Sequence, residues 1–137
     1  MAKSLPIPEQ IEVAELLAGK SAGDLLVTQK LAHDPEVNDD PVGFHAQQAV
    51  EKALKVALTL RGVDYPKTHD LDFLAGLAGK NEIELPAEMA NAGWLTPWAA
   101  EFRYDDAPLE TLDRDRAVVL AEFAVDWCRG LITEAGP

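Results

Sequence analysis

His45 opens the string His45-Ala46-Gln47-Gln48-Ala49-Val50-Glu51-Lys52. On a helix His45, Gln48 and Lys52 fall at i, i+3 and i+7 and share one face, while Phe44, Gln47 and Glu51 share another. A face of this kind could line a cleft. The competing use of the same residues is structural: consecutive glutamines near a histidine are good buried hydrogen-bond partners that fix helix packing. Arg103 is the second focus. It follows apolar Phe102 and precedes Tyr104. A guanidinium there must reach water, a carboxylate or a bound anion, because an unpaired buried charge costs several kcal/mol. The expectation is that Arg103 points into a cleft or dimer groove near the His45, Gln48, Lys52 face. A salt bridge to Glu51, Asp105 or Asp106 is the structural alternative.

The charge distribution singles out the same region. The 137 residues carry 24 acidic and 12 basic side chains, a net charge of −12. Sequence-independent binding to duplex DNA needs a broad basic surface and is excluded on this balance. From Phe44 to His69 the sign reverses: Lys52, Lys55, Arg61 and Lys67 stand against Glu51 and Asp64. A local positive patch can capture a phosphate while the rest of the surface repels long polyanions. Solvated lysines on the outer face of a helix explain the same count. Two of the three histidines, His45 and His69, lie in this segment.

Other chemistries find little support. The three histidines have no metal-ligand spacing, and no cofactor is expected. There is no Gly-rich phosphate loop. The acidic stretch Asp34 to Pro41 lacks the alternating oxygen ligands and closing glutamate of a calcium loop, and reads as solvated. The single cysteine, Cys128, cannot form an internal disulfide and reads as a packed small residue. Trp94, Trp98 and Trp127 sit at core-compatible positions, though each could stack a base. No apolar run approaches the ~20 residues that cross a bilayer, and Met1 to Pro8 has no apolar signal core. A cytoplasmic protein without membrane contact is expected.

The elements that must position these groups are helical. Nine prolines cut the chain into helix-length pieces, and no β-branched run alternates over a strand's length. Five helices in one all-α domain over residues 1–137 are predicted, with residues 1–7 flexible. The first runs from about Pro8 to His33, with Ala14, Leu17, Ala18, Leu25 and Ala32 as its stripe. Its interior Gly19 and Gly23 cost about 1 kcal/mol each relative to alanine and signal either close helix approach or fraying. The second runs from about Val42 to Arg61 and stops at Gly62. The third starts at Thr68 as N-cap and stops near Gly79. The fourth covers about Ala87 to Tyr104, with a kink or restart at Thr96-Pro97. The fifth runs from about Leu109 to Ile132. From Ala117 to Val125 only Glu122 is polar, which predicts a central helix or one that pairs with another chain in a homodimer.

The blocks Phe44-His45-Ala46-Gln47-Gln48-Ala49-Val50-Glu51-Lys52-Ala53-Leu54-Lys55, Arg61-Gly62, Thr68-His69-Asp70-Leu71 and Phe102-Arg103-Tyr104 together closely resemble the HEPN domain family (higher eukaryotes and prokaryotes nucleotide-binding). The resemblance implies an up-and-down helical bundle of four or five helices, usually dimeric. It also implies one of two activities. Many members are metal-independent ribonucleases of toxin–antitoxin and other defence systems. These carry an arginine and a histidine separated by four to six residues, and the two pairs converge in the dimer. Other members bind nucleotides or act as partners of minimal nucleotidyltransferases. Arg103 matches the arginine position here, but Pro108, Leu109 and Glu110 stand where the histidine would be. Read through the resemblance, the phosphate-binding candidates are Arg103, Tyr104, His45, Gln48, Lys52 and His69. Arg103 and His45 are the only catalytic candidates. The leading expectation is a non-catalytic or weakly catalytic nucleotide- or RNA-binding protein, or a partner of a minimal nucleotidyltransferase. An active ribonuclease using Arg103 with a displaced histidine, and a structural helical adaptor, are the alternatives.

Overall fold

Local signals start and stop each helix. The computed structural model describes residues 5–99 and 111–136, and all regular structure among them is helical. Helix α1 spans Pro8–Ala32. Pro8 occupies its first position, and Gln10 reaches back so that its Oε1 accepts from the Ile7 backbone N–H at 2.9 Å. Helix α2 spans Asp39–Leu60, three residues longer at its start than the sequence predicts. Asn38 is its N-cap, Asp39 and Asp40 sit at the positive end of the dipole, and Pro41 is tolerated in the first turn. Its end is a Schellman turn: Val63 N–H reaches Leu58 O, Gly62 N–H reaches Thr59 O, and Gly62 takes φ +66°.

Helix α3 spans Leu71–Lys80, and its N-cap differs from expectation. Asp70, not Thr68, is the N-cap and accepts from Phe73 N–H. Thr68 Oγ1 instead accepts from Asp70 N–H, and Thr96 Oγ1 accepts from Leu71 N–H, so three exposed donors of one helix start are satisfied. At the far end the helix stops at Lys80, beside Gly79 as predicted, and Glu82 takes a left-handed φ of 61°.

The predicted fourth helix is broken. A single turn, α4 (Ala87–Ala90), gives way to a 3₁₀ segment, Ala92–Trp98, which contains Pro97. Proline supplies no N–H and disfavours helical geometry in the residue before it, so a continuous α-helix through Thr96-Pro97 is not available. The expected continuation to Tyr104 lies outside the described residues. Helix α5 spans Arg114–Ala135, with Asp113 as N-cap accepting from Arg116 N–H.

Three long helices, α1, α2 and α5, make the bundle; α3 and the 3₁₀ segment cover the remaining side of α2, and α4 packs on α3, α5 and the 3₁₀ segment. Ser21 Oγ donating to Ala49 O and Asp24 meeting His45 show that α1 and α2 run antiparallel. Arg114 meeting Asp39 puts the starts of α2 and α5 at one end. The central helix is α2, not α5. Its predicted face Val50, Ala53, Leu54, Ala57 and Leu58 is buried throughout. Helix α5 buries Ala117, Leu120, Ala121, Ala124, Val125 and Cys128 against α1 and α2, while Glu122, Asp126 and Arg129 are exposed as expected.

Two close approaches could not be read from the sequence. A Cβ on Gly43 would lie 2.5 Å from the Trp98 ring, so the indole passes α2 only because residue 43 is glycine. A Cβ on Gly93 would lie 2.2 Å from an Asp72 carboxylate oxygen, which seats the 3₁₀ segment on α3. By contrast Gly19 and Gly23 meet nothing within 4 Å inside the chain, and α1 continues through both. Neither close approach within the chain nor fraying explains them.

Candidate functional site

Two polar networks are built along α2. In the first, Asp24 of α1 meets His45 Nδ1 at 2.9 Å and Lys52 Nζ at 2.5 Å, through different carboxylate oxygens. The predicted sharing of one face by His45 and Lys52 is therefore realised, with a carboxylate from α1 bridging them. In the second, Glu51 is the hub. Its Oε1 lies 2.6 Å from His69 Nδ1 and accepts from Gln47 and Gln48 Nε2 at 3.1 and 3.3 Å; its Oε2 accepts from Lys55 Nζ at 2.9 Å. Gln47 Nε2 also donates to His69 O at 2.9 Å, so both the backbone and the ring of His69 are tied to α2. Gln48 Nε2 donates to Gln47 Oε1 at 2.7 Å and lies 3.5 Å from His69 Nδ1. Gln48 thus belongs to the second network.

Gln47, Gln48 and Glu51 are buried, and no buried side-chain nitrogen or oxygen among the described residues lacks a partner. A complete network of this kind specifies packing, since each unsatisfied member would cost 1–3 kcal/mol or so, roughly. Burial alone would push the Glu51 carboxyl up. The hydrogen bonds from Lys55, His69 and Gln47 outweigh it and hold the group below its ordinary value.

The rim of the networks is open. The His45 and His69 side chains keep 29% and 35% of their exposure, enough for a ligand to reach them. A carboxylate on Nδ1 fixes each ring's orientation and tautomer, the arrangement of an imidazole prepared to exchange a proton or meet a phosphate oxygen. Lys52 and Lys55 are not the free solvated lysines that charge counting allowed. Each is paired with a carboxylate, and Lys55 also lies 5.4 Å from the Tyr65 ring centre. The cluster therefore carries no fixed excess of positive charge beyond its histidines.

Of the predicted site residues, His45 and Lys52 meet on Asp24 and Gln48 and His69 meet on Glu51, although Gln48 is buried and faces the network rather than solvent. Arg103 and Tyr104 lie outside the described residues. Asp24, Gln47, Glu51 and Lys55 are the members that the sequence did not reveal as site residues. The i, i+4 spacing of Gln47, Glu51 and Lys55 was a local signal for the Glu51 hub. Nothing local marked Asp24. The remaining candidates resolve simply. Cys128 is buried, and burial pushes its thiol up to about 11, which makes it a poor nucleophile. Trp98 is buried, and Trp94 carries the Arg116 guanidinium 4.1 Å from its ring centre. The acidic loop binds within the chain: Asp34 accepts from Glu36 N–H, and Asp39 accepts from Leu112 N–H and Arg114. Among the described residues no group of three His, Cys, Asp or Glu side chains could hold a metal, and no helix is long and apolar enough to cross a membrane.

Geometry gives the two sequence blocks a common purpose: the Gln47 and Glu51 of one clamp the His69 of the other. The family model of the HEPN domain matches residues 28–131, spanning both blocks and most of the bundle. The chain belongs to the HEPN family. The chain matches no curated protein and no solved structure. The helical bundle agrees with the HEPN assignment. HEPN membership directs the function toward nucleotides or RNA.

Proposed function

We propose that this HEPN protein binds the phosphate of a nucleotide or RNA at the rim formed by His45, Lys52 and His69, without fast turnover. The observation that supports it is the pair of part-exposed imidazoles, each held by a carboxylate, His45 by Asp24 and His69 by Glu51. A phosphate would add to a nearly neutral cluster, with the Lys52 ammonium exchanging its contact with Asp24 for one with the phosphate. Such binding is selective for small or local anions and weakens with salt. Arg103 and Tyr104 are proposed as further phosphate contacts on the strength of the family pattern. A minimal nucleotidyltransferase is the proposed protein partner, in a toxin–antitoxin-type pair in the cytoplasm.

The test is titration of the purified chain with ATP and with short single-stranded RNA, followed by calorimetry. His45→Gln, Lys52→Gln and Arg103→Ala should each weaken binding about tenfold, the cost of one charge-assisted contact. Absence of binding by the wild type at millimolar ligand sinks the reading.

A second reading rests on the same carboxylate–imidazole pairs, which resemble the base-and-orienter geometry of acid–base catalysts. Here His45 or His69 would stand in for the missing histidine and work with Arg103 as a ribonuclease. RNA cleaved in the absence of metal, and left intact by the His45→Gln and His69→Gln variants, would favour it over simple binding.

A further inference from the structure

One member of the first polar network is an anion in the place where an anion would bind. The Asp24 carboxylate lies between His45 Nδ1, at 2.9 Å, and Lys52 Nζ, at 2.5 Å, with one oxygen on each. A phosphate at the rim needs the same two donors and can offer them two oxygens of its own. While Asp24 stays, the His45 Nδ1–H is spent on it, and any anion approaching Lys52 meets a carboxylate of like charge.

The two carboxylates of the site are not equally free to move. Glu51 keeps 4% of its side-chain exposure and is held by Gln47, Gln48, Lys55 and His69. Asp24 keeps 12%, and among the described residues its carboxylate is held by His45 and Lys52 alone. Three residues earlier, Ser21 Oγ donates to Ala49 O at 2.7 Å and pins α1 to α2. Releasing the two donors therefore takes the rotation of one side chain, with both helices left in place. Lys20, one turn before Asp24, is exposed and has no ion pair among the described residues. At i−4 it is a helix-surface neighbour that can receive the displaced charge.

Such an exchange sets a charge threshold. The carboxylate carries one negative charge. An internal phosphodiester also carries one, so it exchanges like for like and gains nothing to set against the freedom lost on binding. A terminal phosphate monoester carries about −1.5 to −2 at neutral pH. Both donors therefore attract it more strongly than they attract Asp24.

We propose that Asp24 is the specificity-determining residue of this rim. It is an internal competitor that yields the His45–Lys52 pair to a phosphate monoester, the terminal phosphate of a nucleotide or of an RNA end, and keeps it from internal phosphodiesters. The inference rests on the phosphate reading above and adds to it the class of phosphate.

The test is calorimetric titration of the full chain with AMP and with cyclic AMP, which present one nucleoside as a monoester and as a diester. The wild type should bind AMP at least about tenfold more tightly. Asp24→Asn keeps the shape of the side chain and removes its charge, and it should tighten the binding of both ligands about tenfold. Adding Lys52→Gln should cancel most of that gain, because the competitor acts through the ammonium. Circular dichroism and melting curves establish that each variant is folded, and Asp24→Ser carries the same comparison if Asp24→Asn is not. Equal wild-type affinity for the two nucleotides, or an Asp24 variant that binds no more tightly than the wild type, overturns the proposal and leaves the phosphate reading standing. Failure of AMP to bind either the wild type or the Asp24 variant overturns both.

Discussion

Glu51 Oε1 and His69 Nδ1 lie 2.6 Å apart, which fastens the middle of α2 to the turn that starts α3. Removing the charge should therefore loosen α3 while leaving the long helices in place. Glu51→Gln is expected to lower stability at neutral pH by about 2 kcal/mol, since hydrogen bonds to a charged group contribute more than neutral ones. Denaturant titration followed by circular dichroism checks the value.

The same carboxyl predicts acid sensitivity. Its folded form titrates below the ordinary 4.5, so its contribution is complete above that value and disappears as pH falls through the lower folded value. Asp39, held down by Leu112 N–H and Arg114 against the effect of burial, acts in the same direction. Unfolding free energy measured from neutral pH downward should fall below about pH 4.5. The slope should be shallower in Glu51→Gln. Equal slopes in the two proteins would contradict the role given to Glu51.

Arg114 straps the end of α1 to the start of α2. Its Nε donates to Asp39 Oδ1 at 2.8 Å, and its terminal nitrogens donate to the carbonyls of Leu31, Ala32, Asp34 and Val37. Arg114→Ala leaves these acceptors and one carboxylate without a donor and should cost about 2–4 kcal/mol. Arg114→Lys should recover less than half of the loss, because an ammonium cannot fan donors over five acceptors. Thermal unfolding of the three proteins decides it.

Gly43 and Trp98 form a steric pair. Gly43→Ala should cost about 1–3 kcal/mol, the penalty of overpacking at a contact that cannot yield. In a Trp98→Leu background the same change should cost almost nothing, because the ring that it strikes is gone. Equal costs in both backgrounds would show that the glycine is needed for some other reason.

Glu82 occupies a left-handed conformation that suits glycine. Glu82→Gly should stabilise the chain by about 1 kcal/mol by removing the Cβ strain at the end of α3. A melting temperature that falls would mean that the carboxylate contributes more than the strain costs.

The helical class, four of the helices and most of their core faces were legible in the sequence, because helix formation is governed by a repeat of about 3.6 residues and by cap residues within one turn of each end. The α2 face from Val50 to Leu58 and its stop at Gly62 are read directly from that repeat. The family pattern was legible too, as was the common helix face of His45 and Lys52, which meet one carboxylate. The break of the fourth helix was half visible in Thr96-Pro97, but the 3₁₀ form of Ala92–Trp98 was not. Only the tertiary structure brought Asp24 to His45 and Lys52, Glu51 to His69, and Arg114 to Asp39, across 21, 28, 18 and 75 residues of chain. A local repeat fixes which side of a helix a residue occupies. Which carboxylate meets which cation is fixed by the packing of one helix on another, and that depends on side chains all along both.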